Sequence, residues 1–191
     1  TNDVSVGDIN GDGALDIFVG NDRSFNQILL STILQVEEAS FNFDLVELDF
    51  PGEGDKRTNA IFLCDIDDNG NMDLVMINGH GETNQIIMQT FNHRSSSSYD
   101  EVSLPGIGSL LTNAIGVGDF DGDSLLDIVV ANEDGPNQLL LQRVDGSFTL
   151  KDLPGHGTTN TTSVAIADLD SNGSLDIIMA NCNAPNIVLM N

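Results

Sequence analysis

The sequence has few basic residues and a large excess of acidic ones. Six Lys and Arg stand against 30 Asp and Glu among 191 residues, so the formal net charge is −24. A chain this acidic repels nucleic-acid backbones and anionic membrane surfaces, and we expect neither as a partner. Aromatic residues make up only 5% and Trp is absent. Aliphatic side chains must therefore form most of the core.

Long apolar runs and cysteine pairs are also missing. No run approaches the roughly 18–20 residues of a membrane span, so membrane insertion is not expected. No basic-then-apolar leader opens the sequence, so we expect either a removed export signal or an excerpt of a longer polypeptide. Cys64 and Cys182 are too few for a disulfide scaffold or a zinc site. We expect Cys64 to be a small buried residue with no bridge to Cys182.

Four segments repeat one pattern of aspartates. They are SVGDINGDGALDIFVGN (5–21), FLCDIDDNGNMDLVMIN (62–78), GVGDFDGDSLLDIVVAN (116–132) and AIADLDSNGSLDIIMAN (165–181). Pro51, Pro105 and Pro154 each stand 14 residues before the first Asp of the following segment. Such self-similarity is typical of a repeat protein, with repeats at about 1–57, 58–111, 112–160 and 161–191.

Each repeat is predicted to consist of short strands. Runs such as LDIVVAN and NQLLL are rich in aliphatic residues and are bounded by Gly, Asn and Asp. No segment keeps a period of 3.6 residues. The pattern predicts an all-β chain, a β-propeller of four blades of about 50 residues and four strands each. The last blade is one strand short, and an acidic loop joins the first two strands of each blade.

The acidic loops predict four Ca²⁺ sites per chain. Oxygen-bearing side chains at loop positions 1, 3, 5 and 9 converge on one point, and a backbone carbonyl at position 7 completes six or seven oxygen ligands, as Ca²⁺ prefers. The predicted ligands are Asp8, Asn10, Asp12, Ala14 and Asp16; Asp65, Asp67, Asn69, Asn71 and Asp73; Asp119, Asp121, Asp123, Leu125 and Asp127; and Asp168, Asp170, Asn172, Ser174 and Asp176. Four ions would change the net charge from −24 to −16.

Other interpretations of these loops explain less. Mg²⁺ would keep more water, and zinc would favour His or Cys. An EF-hand needs Glu at loop position 12, where Val19, Met76, Val130 and Met179 stand. A single copy could be an acidic turn without metal, but four copies in register argue against this. Position 6 needs a permissive backbone, so Ser124, which replaces Gly there, would cost about 1 kcal/mol if its φ is positive.

The motif D-x-[DN]-x-[DN]-G-x-x-D, followed by a small-residue strand and N-Q-L-L-L, resembles the FG-GAP/VCBS repeat. This resemblance covers essentially the whole chain, and the family includes the calcium-binding blades of integrin α-subunits. It implies that the Asp and Asn residues named above are structural metal ligands. It implies little about function, because the family spans adhesion, matrix, lectin-like and enzyme-accessory modules. Propellers of this family typically have about seven blades, whereas this chain has four repeats.

The remaining polar residues suggest no catalytic site. His80, His93 and His156 lack partner spacing, the recurring Asn21, Asn78, Asn132 and Asn181 are expected to cap turns, and Asn160 is a candidate glycosylation site. The leading hypothesis is a non-enzymatic, calcium-stabilised extracellular module for adhesion or structural assembly. A lectin-type module that binds glycans and an accessory domain of a secreted enzyme are the alternatives. The short fourth repeat predicts head-to-tail association with other subunits, or else a longer propeller.

Overall fold

The chain folds into short β-strands joined by tight turns. The computed structural model describes residues 1–32, 42–47, 57–79, 84–89, 99–105, 111–155 and 160–191. These contain fifteen strands, the number that the sequence predicts, and no helix. The strands are β1 Asp3–Gly7, β2 Asp16–Gly20, β3 Gln27–Thr32, β4 Asn42–Glu47, β5 Thr58–Cys64, β6 Asp73–Asn78, β7 Gln85–Gln89, β8 Tyr99–Ser103, β9 Thr112–Gly118, β10 Asp127–Asn132, β11 Gln138–Gln142, β12 Phe148–Asp152, β13 Asn160–Ala167, β14 Asp176–Cys182 and β15 Ile187–Leu189.

The strands form four separate antiparallel sheets in chain order. The first three sheets are β1–β4, β5–β8 and β9–β12, and the fourth is β13–β15. The registers of sheets 3 and 4 are equivalent: Ile128 pairs with Leu140 as Ile177 pairs with Leu189. Each acidic loop joins the first two strands of its sheet. The sequence therefore predicted the all-β class, the position of the acidic loops and the short fourth sheet correctly.

Two compact units each hold one apolar core. Unit 1 is Thr1–Met76 with Gln85–Val102, and unit 2 is Ile77–Asn84 with Ser103–Asn191. In unit 1 the core comprises Ile9, Phe18, Ile28, Ile61, Leu74, Met76 and Ile87. In unit 2 it comprises Phe120, Val129, Leu139, Leu153, Ile177 and Met179. Each core joins two consecutive sheets, because neither sheet could bury its apolar face alone.

The burial of the second strands follows from their composition. Every residue of β6 (DLVMIN) and β10 (DIVVAN) is buried. These continuous apolar runs suit strands that are covered on both faces. In β2, by contrast, buried and half-buried residues alternate. Burial therefore differs between the inner repeats and the first one, although the sequence motif is the same.

Some predictions concern residues outside the described part of the chain. Pro51 and the three histidines, His80, His93 and His156, lie there. Cys64 is buried and Cys182 is exposed, and both are free thiols, as the sequence predicts. No helix among the described residues is long and apolar enough to cross a membrane.

Candidate metal centres

All four acidic loops share one backbone conformation, with left-handed residues at positions 4 and 6. At position 6, Gly13, Gly70 and Gly173 have φ of 87°, 87° and 90°, and Ser124 has φ of 73°. The strain expected at Ser124 is therefore present. Position 4 is left-handed as well, which the sequence did not predict: its residues are Gly11, Asp68, Gly122 and Ser171, with φ between 57° and 79°. Only glycine adopts such φ values without a steric cost.

The first aspartate of each loop organises the turn. In loop 1, the two carboxylate oxygens of Asp8 accept hydrogen bonds from the backbone N–H groups of Asp12 and Gly13, at 3.0 and 2.9 Å. Asp65 and Asp168 accept the equivalent pairs in loops 2 and 4. Asp119 instead accepts from Gly122 and Ser124. The third loop thus reaches a similar turn with a different hydrogen-bond pattern.

The ninth aspartate is buried and is bound to two parts of the backbone. Asp16, Asp73, Asp127 and Asp176 are all at most 1% exposed. Oδ2 of Asp127 accepts from the N–H of Phe120 at 2.8 Å, and Oδ1 accepts from the N–H of Gln142 at 2.8 Å. Asp16 and Asp176 make the same pair of bonds, one to loop position 2 and one at the end of the third strand (Ser31) or just after it (Asn191). This carboxylate therefore fixes the loop to the sheet independently of any metal.

Carboxylates at positions 1, 3 and 9 converge in three of the loops. The groups are Asp65 with Asp67 and Asp73, Asp119 with Asp121 and Asp127, and Asp168 with Asp170 and Asp176. Within each group, one oxygen per residue lies within 4.8 Å of the others. Oxygens bound to one Ca²⁺ at about 2.3–2.6 Å lie at most about 5 Å apart, so this spacing fits the ion. In the first loop Asn10 occupies position 3 and offers an amide oxygen instead.

Position 5 has a second role that the sequence did not predict. One side-chain oxygen of Asp12, Asn69, Asp123 and Asn172 accepts the backbone N–H of position 7, which belongs to Ala14, Asn71, Leu125 and Ser174. Asp123 is not part of the three-carboxylate group of its loop. A carbonyl or carboxylate oxygen has two lone pairs, so the same atom can accept this bond and still face a cation.

The loop carboxylates have little compensation from basic side chains. Among the described residues, no carboxylate of loops 1, 3 and 4 lies in a salt bridge. Burial is the main cause that raises the pKa of Asp16 and of Asp127, against the backbone hydrogen bonds that lower it. Burial, with Asp73 and Asp65 nearby, raises the pKa of the Cys64 thiol to about 12. Carboxylates that are held close together, with burial disfavouring their charged form, are typical of a cation site.

A repeated hydrogen-bond tie joins successive repeats, and sequence reasoning missed it. The side-chain Nδ2 of Asn26, Asn84 and Asn137 donates to Oγ1 of Thr58, Thr112 and Thr161 in the next repeat, at 3.0, 3.2 and 2.8 Å. The threonines stand 20 residues before the turn asparagines, and Thr112 and Thr161 in turn donate to Asn132 and Asn181. The recurring Thr-to-Asn spacing was the available signal.

The turn asparagines act as the sequence predicts, whereas Asn160 is partly engaged. Nδ2 of Asn132 donates to the carbonyl of Pro136 at 2.7 Å, and its N–H donates to Asn137. Asn160 begins β13 half-buried, and its Nδ2 donates to Glu133 at 3.3 Å. Glycosylation of Asn160 stays a prediction, and it would require this bond to open.

One open groove adjoins the third loop. It has a volume of about 640 Å³ and lies within unit 2. Leu139, Leu153 and Ile177 contribute apolar surface, Asp121 belongs to the acidic loop, and Lys151 supplies a cation. The groove offers apolar and charged contacts but no nucleophile paired with a base.

Comparisons with known proteins agree with this geometry. A family model for the FG-GAP repeat matches residues 1–29, and one for the FG-GAP-like repeat matches residues 119–179. These matches identify FG-GAP repeats at two places in the chain. No curated protein matches it.

Among solved structures, the chain is similar to one titled "Crystal structure of BBS1N in complex with ARL6DN, soaked with lead". The TM-score is 0.55 at 18% identity, and the match covers 95% of this chain and 50% of that one. The chain thus spans about half the length of the matched chain. This likeness supports a β-propeller-like fold.

Proposed function

We propose that the protein is a non-catalytic, calcium-stabilised module of the β-propeller type that binds four Ca²⁺ ions per chain. The observation that carries the proposal is the convergence of three carboxylate oxygens within 4.8 Å in three loops. Like charges held this close raise the free energy of the folded chain unless a cation lies between them. Oxygen ligands alone, without His or Cys, favour Ca²⁺ over transition metals.

The residues at different positions of each loop have different roles. The ninth aspartate, buried and doubly hydrogen-bonded, holds one oxygen in place, and in loops 2, 3 and 4 an exposed aspartate at position 3 supplies charge. The first aspartate keeps the loop closed through two backbone N–H groups. The bound ion supplies positive charge that cancels the repulsion among these carboxylates. Its role is structural, because it would hold the exposed loop ligands against the buried ninth aspartate.

We place this module outside the cell, in adhesion or in structural assembly with other protein subunits. FG-GAP repeats are typical of integrin-like adhesion and extracellular modules. Extracellular calcium, at millimolar levels, would fill even weak loops of this kind, whereas cytosolic calcium would not. Ser147 Oγ donates to Asp145 at 2.6 Å, but both residues lie in the exposed β11–β12 turn and neither lines the groove, so we propose no catalysis. A partner would then be recognised by surface contact.

Calorimetric titration and metal analysis of the whole chain test the proposal. We expect four Ca²⁺ per chain, and we expect Asp121→Ala, which removes the ligand oxygens at position 3, to remove one site while Asp145→Ala leaves all four. Asp145 is the matched control, because it is an exposed aspartate in the β11–β12 turn and belongs to none of the carboxylate groups. Two or fewer sites in the unchanged protein would refute the proposal. The third loop, strained at Ser124, is expected to bind most weakly.

A further inference from the structure

Loop 1 differs from loops 2 and 4 in where an asparagine precedes a glycine. In loop 1 the pair is Asn10 with Gly11, at positions 3 and 4. Loops 2 and 4 have their pairs at positions 5 and 6, beginning at Asn69 and Asn172. Such a pair is chemically reactive, because glycine has no side chain that would keep its nitrogen away from the asparagine amide carbon. The three pairs can therefore be compared within one protein.

The asparagine side chain is held in the same way in all three pairs. Oδ1 of Asn10 accepts the backbone N–H of Asp12, two residues later, at 2.9 Å. Asn69 and Asn172 accept the equivalent bonds at 2.8 and 2.7 Å. A donor in this place stabilises the negative charge that attack on the amide carbon puts on Oδ1. The asparagine side chains therefore do not distinguish the three pairs.

The nitrogen of the glycine does distinguish them. The two oxygens of Asp8 bind the N–H groups of positions 5 and 6, and not that of position 4. Within the described part of the chain, nothing accepts the N–H of Gly11. Gly70 and Gly173, at position 6, instead donate to the first aspartate of their loops. Among these three glycines, only Gly11 has a nitrogen that no hydrogen bond holds away from the preceding side chain.

Solvent reaches this glycine as well. Gly11 is exposed, and so is the residue at position 4 of each of the other three loops, so the exposure is a property of the loop. The chain has one more pair, Asn78 with Gly79, and both of these residues are buried. Burial keeps base and water away from that pair. Asn10 with Gly11 is thus the pair that combines exposure with an unbonded glycine nitrogen.

We propose that Asn10 is a site of spontaneous deamidation. The nitrogen of Gly11 loses its proton to base and bonds to Cγ of Asn10, and the side-chain nitrogen leaves as ammonia. Water then opens the succinimide ring at either of its carbonyl groups, which gives aspartate or isoaspartate. One ammonia is lost and one water is gained, without oxidation or reduction. The new carboxylate changes the formal net charge from −24 to −25.

The aspartate product would give loop 1 a fourth carboxylate. Position 3 would then carry an acid, as Asp67, Asp121 and Asp170 do in the other loops. Because the number of charged ligands sets the calcium affinity of such loops, this product should bind calcium more tightly. The isoaspartate product has one more atom in its main chain and should disturb the turn. This consequence rests on the proposed calcium-binding function, whereas the modification site does not.

Peptide mapping by mass spectrometry tests the site in the whole chain, over a time course in a mildly alkaline buffer with EDTA. We expect Asn10 to deamidate at least about tenfold faster than Asn69 and Asn172, because those two pairs must first lose a hydrogen bond to a charged acceptor. Anion-exchange chromatography should resolve the more acidic product. Equal rates at the three sites, or an earlier reaction at Asn69 or Asn172, would overturn the proposal.

Two variants separate the residue type from its position in the loop. Asn10→Gln keeps an amide on a longer side chain that closes a ring slowly, so the early acidic product should disappear. Asp12→Asn adds a second pair to loop 1, ending at Gly13, whose N–H donates to Asp8 at 2.9 Å. This added pair should stay intact while Asn10 reacts, and reaction of both at one rate would overturn the argument. Circular dichroism melting checks that both variants are folded.

Calorimetric titration of Asn10→Asp with calcium tests the consequence. We expect one site to bind calcium about tenfold more tightly than in the unchanged chain, with the same number of sites. If Asn10 deamidates first but this variant gains no affinity, the modification site stands and the calcium proposal fails for loop 1. The two ideas can therefore fail separately.

Discussion

Replacement of the ninth aspartate should destabilise the chain even when no calcium is present. Asp127 is fully buried, and its two oxygens accept the N–H groups of Phe120 and Gln142 at 2.8 Å each. Asp127→Asn replaces one acceptor with an NH₂ donor, so one buried N–H loses its partner. Such a loss costs about 1–3 kcal/mol.

Removal of the charge offsets part of that cost. Burial raises the pKa of Asp127, which means that the folded chain holds the ionised carboxylate at a penalty. We therefore expect a net loss of about 1–2 kcal/mol in chelator. In calcium the variant should also lose the stabilisation that the bound ion gives, about 2.7 kcal/mol if the ion is present at a hundredfold excess over its Kd.

Asp121→Ala is the matched comparison. Asp121 is exposed and belongs to the same carboxylate group. It should lose stability in calcium only, and in chelator it should be neutral or slightly more stable because repulsion falls. Urea unfolding, followed by circular dichroism, measures the free energy of unfolding of both variants and of the unchanged chain, in calcium and in EDTA. Equal stability of Asp127→Asn and the unchanged chain in EDTA would refute the reasoning.

Three further predictions follow from single positions. Ser124→Gly should stabilise the chain by about 1 kcal/mol in thermal or urea unfolding, because Ser124 has φ of 73°; an unchanged midpoint would contradict the strain. In EDTA the melting temperature should fall as pH rises above 3.8, because burial raises the pKa of Asp16 and Asp127 in the folded state. In calcium the melting temperature should instead rise with pH. A thiol reagent at neutral pH should modify Cys182 and spare Cys64, whose buried thiol has a pKa of about 12; two labels per native chain would be evidence against this burial.

The sequence was sufficient where one chemical pattern recurs in four places. Repetition of Asp, Asn and Gly at fixed spacing predicted the loops, and the apolar runs after them predicted the second strands. The loops also account for the positive φ of Ser124, because glycine occupies position 6 in the other three. In each case, the residues at the same position of the other repeats indicated a conformation that one segment alone would not have indicated.

The sequence was insufficient where a residue serves two neighbours. Asp16 was predicted as a ligand, but its bond to the N–H of Ser31, 15 residues later, depends on where the third strand ends. Asp68 and Ser171 are left-handed without being glycine, so their residue type did not indicate this φ. The tie from Asn137 to Thr161 joins two repeats, and neither residue is unusual in its own turn or strand.

The hydrogen bonds of the first aspartates also bear on how the protein ages. Asn69 and Asn172 each precede glycine, the arrangement in which an asparagine side chain most readily cyclises and loses ammonia. Cyclisation requires attack by the backbone nitrogen of that glycine. In both loops this nitrogen donates its proton to a carboxylate, from Gly70 to Asp65 at 2.7 Å and from Gly173 to Asp168 at 2.9 Å. While loops 2 and 4 stay closed, these bonds therefore protect Asn69 and Asn172 from deamidation, and the chemical lifetime of these two residues depends on how long their loops stay closed.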